Sequence, residues 1–143
     1  MATTARVTDE LVDALAQTSF LVMEVLTRTG ATYDLSLTQL RVFGILRDRR
    51  PRMAELADYL GLEKSTMSGL VERAEQRGLV AREKSVDDGR AVEVFLTAEG
   101  RRLAKRVEGD VRRELGPATE ALSPRQRATL TQLLRGLVEP SLG

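Results

Sequence analysis

The chain of 143 residues contains no cysteine, no histidine and no tryptophan. Without cysteine there is no disulfide framework, no thiol nucleophile and no thiolate metal site. Without histidine the commonest general base and the commonest zinc ligand are both missing. A metal would have to be held by carboxylates alone, and no set of acids stands out for that, so no metal site is expected. No catalytic pair stands out either, and only carboxylate, Lys, Tyr or Ser chemistry would remain. The expectation is a protein that is not an enzyme and carries no cofactor. No apolar run approaches the roughly 18 residues a membrane span requires. The stretch SFLVMEVL, residues 19–26, is interrupted by Glu24 and lacks a basic lead-in and a cleavage site, so it does not read as a secretory signal. A cytoplasmic location is the default.

A strong charge of either sign is absent too. Net charge is +1, from 22 basic and 21 acidic side chains. Residues 1–36 carry 2 basic and 5 acidic groups, residues 37–96 carry 11 and 10, and residues 97–143 carry 9 and 6. Any case for nucleic-acid binding therefore rests on where the basic residues stand and not on their excess. Hydrophobic residues at 42% and charged residues at 30% describe an ordinary globular chain of one domain, long enough to bury a core.

Thr8-Asp9-Glu10 reads as a helix start, with Thr8 capping and the acids at the positive end. Leu11, Leu15, Val22, Val25 and Leu26 follow near helical spacing, and Gly30 reads as the stop. Ser36 and Gln39 form a capping box before a helix that turns Leu40, Phe43, Leu46 and Ile45 inward. RDRRPR, residues 47–52, reads as a charged break around Pro51, a solvated turn first and a phosphate contact as the alternative. Met53, Leu56, Ala57 and Leu60 then repeat at i, i+3, i+4 and i+7, and Gly61 closes that helix. Met67, Leu70, Val71 and Ala74 repeat the pattern after a few residues, and Gly78 closes it.

From Leu79 the period changes from helical to alternating. Leu79–Lys84 and Ala91–Leu96 read as two strands around a turn at 85–90. Thr97-Ala98-Glu99-Gly100 opens a long helix with Leu103, Val107, Val111 and Leu115 on one stripe, and Gly116-Pro117 reads as its break. Ser123 to Gln126 opens the last helix with a cap, a first-turn proline and a closing glutamine. Leu130, Leu133, Leu134 and Leu137 form its inner face.

Helix, tight glycine turn, helix and hairpin in succession describe a winged helix-turn-helix, whose second helix faces the DNA major groove. With about 100° per residue, Met67, Leu70, Val71 and Ala74 fall within about 100° of arc. The opposite face carries Ser65, Ser68, Gly69, Glu72, Arg73 and Gln76. Serine, glutamine and arginine hydrogen-bond base edges and phosphates, and small side chains let the backbone approach the groove. Any helical protein can contain such a helix pair; the hairpin that follows distinguishes this one.

Several short motifs then stand in order: Leu56-Ala57 and Leu60-Gly61, Lys64-Ser65-Thr66, Arg77-Gly78-Leu79-Val80 with Arg82, Asp88-Gly89-Arg90, and Leu96-Thr97 with Gly100. Together they resemble the winged-helix core of the MarR-type transcriptional regulators, most specifically over residues 37–100. The resemblance implies an obligate homodimer on a pseudo-palindromic operator in double-stranded DNA. It implies a repressor released by a small ligand, often a phenolic or other aromatic acid. It implies that the wing-tip residues matching Asp88 and Arg90 pair, and that Arg90 enters the minor groove. This chain departs from the pattern at Glu63 and Arg52, where the family usually caps a helix with Ser or Thr. Branches of the family that sense oxidants through cysteine or zinc through histidine are excluded.

The expected architecture is mainly α with a small β-hairpin wing: an N-terminal dimerisation helix over 1–36, a winged helix-turn-helix over 37–96 and C-terminal dimerisation helices over 97–143. The terminal stripes are more than a module of that size can cover, so a second copy would bury them; a monomeric helical bundle is the alternative. Candidate DNA contacts are Lys64, Ser65, Thr66, Ser68, Gly69, Arg73, Arg82, Lys84, Asp88 and Arg90. Phe20, Met23, Tyr33 and Phe43 are candidates for a ligand crevice, with core packing as the plainer role, and Arg47 for an ion pair with an acidic ligand. Arg101, Arg102, Lys105 and Arg106 either support DNA binding or form a solvated helix face. The alternative to a DNA-binding regulator is a winged helix that binds protein without specific DNA recognition.

Overall fold

The computed structural model describes residues 2–138. Among the described residues there are six helices and one hairpin, in the order α1 (Ala2–Thr32), α2 (Leu37–Leu46), α3 (Met53–Leu60), α4 (Lys64–Gln76), β1 (Val80–Lys84), β2 (Val92–Leu96), α5 (Ala98–Glu120) and α6 (Pro124–Val138). This is the expected mainly helical winged fold. No described helix is long and apolar enough to cross a membrane.

The core is built where the sequence patterns are strictest. Leu56 and Ala57 of α3, Met67, Leu70, Val71 and Ala74 of α4, Val94 and Leu96 of β2, and Leu46 of α2 are all at most 6% exposed. Ser36 caps α2 as its spacing implies, with Gln39 N–H donating to Ser36 Oγ at 3.1 Å and Ser36 N–H to Gln39 Oε1 at 2.8 Å. Ser123 and Gln126 repeat that arrangement at α6. Gly61 holds φ +67°, the left-handed conformation that lets α3 end and α4 begin within three residues.

Three local readings are corrected. Helix α1 begins well before Thr8, whose hydroxyl donates to the Thr4 carbonyl at 3.0 Å and caps nothing. Asp9 and Glu10 therefore lie inside the helix and not at its positive end. Gly30 does not end α1; its carbonyl accepts from Leu35 N–H at 2.8 Å, and a Cβ on it would stand 2.6 Å from the Leu35 carbonyl oxygen. The glycine is there for close approach of the backbone. Gly116-Pro117 does not break α5, which runs through to Glu120. Pro117 lies in the last turn, where a missing N–H costs one hydrogen bond and the helix is about to end anyway.

β1 and β2 pair antiparallel, with Val80 opposite Leu96, Arg82 opposite Val94 and Lys84 opposite Val92. Leu79 and Ala91, expected in the strands, flank them. The RDRRPR break is more than a solvated turn. Pro51 carbonyl accepts from Val94 N–H at 2.9 Å, and Arg52 bridges to Glu93, so the segment lies along the wing. Arg50 sits 4.1 Å from the centre of the Phe95 ring, with Glu83 at 3.2 Å and Glu93 at 3.5 Å. Glu83 and Glu93 are directly opposite across the strands. One guanidinium thus offsets a like-charge pair that would otherwise loosen the hairpin.

The wing and the long helix meet at a second close approach. Thr97 accepts from Gly100 N–H at 3.1 Å and its own hydroxyl donates to the Gly78 carbonyl at 2.6 Å. A Cβ on Gly100 would lie 1.9 Å from the Leu79 carbonyl oxygen. Only glycine lets α5 start so close to the turn that follows α4.

Candidate nucleic-acid interface

Burial of Met67, Leu70, Val71 and Ala74 fixes the rotation of α4 and leaves the opposite face outward. Ser65, Thr66, Glu72, Arg73 and Gln76 are exposed, and Ser68 and Gly69 are half-buried beside them. Glu63, at the N-cap position, makes no side-chain cap, as expected of an acid standing where Ser or Thr serves better.

A concavity of about 430 Å³ opens between the start of α3, the outer face of α4 and the wing. Lys64, Ser68, Arg82 and Arg90 line it together with Arg52. Four of the expected DNA contacts are therefore brought together from separate parts of the chain. Arg52 is singled out in the sequence only as part of the RDRRPR run, for which phosphate contact is the lesser reading. Its placement follows from the bridge to Glu93, a tertiary pairing with no sequence signal. Arg82 is already engaged, with its Nε 2.8 Å from Glu75 Oε1, tying β1 to the last turns of α4. Lys84 is exposed at the end of β1.

At the wing tip, Asp88 does not hold the Arg90 guanidinium. Its Oδ1 accepts from the Arg90 backbone N–H at 3.1 Å, and its carbonyl accepts from Ala91 N–H at 3.0 Å. This is turn chemistry of the kind aspartate favours. Asp88 shapes the tip, and the Arg90 side chain is left to reach outward. Val86 at the same tip is 96% exposed.

The candidate ligand residues fall into separate places. Phe43 and Arg47 line a crevice of about 350 Å³ between α1, α2 and α5, walled by Leu26, Leu40, Val107 and Val111. Glu108 and Arg112 of α5 complete its polar rim. Arg47 lies 3.3 Å from Glu108, and Arg112 pairs with the same carboxylate. Phe20 and Met23 lie elsewhere, exposed on the outer side of α1 in a shallow groove with Leu37. Tyr33 lines neither; its hydroxyl donates to Asp110 of α5. That carboxylate holds the phenol above its ordinary value of 10.0, with desolvation acting in the same sense. The Tyr33 and Asp34 carbonyls accept from Arg77 at 3.0 and 2.8 Å. The turn after α1 is thereby tied both to α5 and to the end of α4.

A helix-turn-helix with a wing, and a concavity between α4 and the hairpin that gathers four basic side chains, describe the class as a winged-helix protein of the nucleic-acid-binding kind. The sequence model of the MarR family matches residues 33–91. A transcriptional repressor of Mycobacterium tuberculosis is 36% identical over 84 residues, which cover 59% of this chain and 60% of the relative. Among solved structures, NadR in complex with 4-hydroxyphenylacetate is similar at 26% identity and a TM-score of 0.75, covering 87% of this chain and 89% of that one. The transcriptional repressor CouR bound to a 23-mer DNA duplex is similar at 26% identity and a TM-score of 0.72, covering 92% and 94%. Over residues 33–91 the chain is thus similar to the MarR family, and the relatives and solved structures it resembles include transcriptional repressors.

Proposed function

We propose that this protein is a homodimeric, sequence-specific DNA-binding repressor whose operator affinity falls when a small organic acid enters the crevice between α1, α2 and α5. The observation that carries the DNA reading is the concavity that gathers Lys64, Ser68, Arg52, Arg82 and Arg90 between α4 and the wing. Ser65, Thr66, Ser68, Gly69 and Arg73 face the major groove. Lys64 and Lys84 contact phosphates. Arg90, set by the turn at Asp88, reaches the minor groove, and Arg82 holds the wing to α4 while lying beside the backbone.

The dimer is supported by uncovered apolar surface. In α6 no residue is buried, and Leu130, Leu133, Leu134 and Leu137 are 42–64% exposed. Val7, Leu11 and Val12 of α1 are 57–59% exposed. These two stripes belong to the segments 1–36 and 97–143, and we assign them to dimerisation around the module at 37–96. A pair of recognition helices about 34 Å apart would meet successive major grooves on a pseudo-palindromic site. The effector reading is supported by the apolar walls and the Arg47 cation of the crevice. The bound acid of NadR is a precedent for such a ligand in a similar structure.

The test is a gel-shift titration against genomic fragments, including the DNA upstream of the protein's own gene, at moderate salt. One fragment is expected to bind far more tightly than random DNA. Ser68→Glu, which sets a carboxylate against phosphate, is expected to abolish that preference with the fold intact. Uniform weak binding to all fragments would instead favour a winged helix that docks on protein.

A further inference from the structure

The crevice between α1, α2 and α5 has apolar walls, yet its rim carries three charges: Arg47 at the C-terminal end of α2, and Glu108 and Arg112 one turn apart on α5. Both arginines converge on the Glu108 carboxylate. The Glu108 side chain is only 25% exposed, while Arg47 and Arg112 are 55% and 77% exposed. The two contacts are not equivalent. Glu108 and Arg112 lie four residues apart on one helix, so their pairing survives any relative movement of α2 and α5. Glu108 and Arg47 lie on different helices, and theirs does not.

We infer that Glu108 is an internal competitor that occupies the seat of the effector's carboxylate on Arg47 and so determines which ligands the crevice accepts. This rests on the reading of the crevice as an effector site and deepens it. One carboxylate shared by two guanidiniums leaves the rim with a net charge of +1, and a ligand carboxylate on Arg47 leaves Glu108 still paired with Arg112. A ligand with a single carboxylate and an apolar body satisfies that cation and fills the space lined by Leu26, Phe43 and Val107. A neutral amide of the same shape gains nothing from displacing Glu108, because it leaves Glu108 and Arg47 to re-pair. A dicarboxylate brings a second charge among apolar walls with no partner, and burying an unpaired charge is costly. Exchange of Arg47 from Glu108 to ligand also removes the ion pair that links the end of α2 to α5. The same residue therefore couples ligand selection to the contact between the two helices.

The test uses calorimetric titration of the full chain without DNA, with phenylacetate, hexanoate and the neutral phenylacetamide as probes. Glu108→Gln is expected to tighten both carboxylates by about two- to fivefold, the range in which a partly exposed ion pair acts, and to leave phenylacetamide unchanged. Arg47→Gln is expected to abolish the preference of carboxylate over amide. Thermal melting of each variant checks that it folds, and Glu108→Ala stands in should the glutamine variant not. The inference is overturned if Glu108→Gln binds the carboxylates no tighter than the parent, if the amide gains as much as the acids, or if neither protein binds any carboxylate. Because no DNA is present, a protein that passes this test but finds no operator loses the regulator reading and keeps the ligand site. A protein that finds its operator and binds the carboxylates without gain in the Glu108→Gln variant loses only the role of Glu108, and one that binds no carboxylate loses the effector site as well.

Discussion

The winged module and the last helix use similar apolar spacings with opposite results. In α4, Met67, Leu70, Val71 and Ala74 are 0–6% exposed; in α6, Leu130, Leu133, Leu134 and Leu137 are 42–64% exposed. The first stripe finds α3, α2 and the hairpin within its own chain. The second is left largely open to solvent among the described residues. An amphipathic stripe specifies that a face is to be buried but not which surface buries it. The module completes itself within one chain, whereas α6 and the first half of α1 call for another surface, which we propose to be a second copy.

The largest expected effect comes from breaking that second surface. Leu133→Glu combined with Leu137→Glu puts charges on the exposed stripe and should convert the protein from two chains to one by light scattering. Operator binding should be lost with it, while the helical circular dichroism signal stays close to that of the parent. A variant that remains a dimer would move the interface off α6.

The next effect lies where α5 starts against the self-sufficient module. Gly100→Ala places a Cβ 1.9 Å from the Leu79 carbonyl oxygen. Overpacking of this kind costs about 1–3 kcal/mol or more, read as a lower thermal midpoint. Gly109→Ala, exposed inside the same helix with nothing within 4 Å of its Cβ, should hold or slightly raise the midpoint and serves as the control for helix propensity. Equal midpoints would mean that α5 can shift away from the end of α4 without loss.

Arg90→Ala separates recognition from folding within the same module. It should weaken operator binding by about 1–3 kcal/mol and leave both the dimer and the thermal midpoint unchanged. An operator titration that overlays the parent would remove Arg90 from the interface. Ser36→Ala is the smallest change. It deletes a cap worth about 1 kcal/mol at the start of α2, with a modest drop in midpoint and no change in subunit number.

How far the sequence could be read varied with how local the cause was. The caps at Ser36, Thr97 and Ser123 involve partners three residues away, and each stands where its spacing put it. The inward residues of α4 were legible because a helix has one period and this stripe is unbroken. Errors arose where a residue type has two uses. Gly30 read as a stop and is a close approach; Pro117 read as a break and is tolerated in a last turn. In the concavity, Lys64, Ser68, Arg82 and Arg90 are named by motif and face, whereas Arg52 is named only as part of the RDRRPR run, since it reaches the concavity beside a bridge to β2. The ligand candidates were the least legible. Residue type alone grouped Phe20 and Met23 with Phe43 and Arg47, and three-dimensional placement separates them.

What the sequence determined by itself is the set of elements and their faces. Capping, the helical and alternating periods, and glycine at the turns are interactions over a few residues, so their outcome is written in neighbouring letters. The tertiary structure alone decided which charges meet. Arg50 on Glu83 and Glu93, Arg77 on the turn after α1, Arg82 on Glu75 and Arg47 on Glu108 join residues from 7 to 61 positions apart. Apart from pairs three or four residues apart on one helix, a charged side chain has no preferred separation from its partner along the chain, and that partner is set only when packing of the apolar faces has brought the elements together.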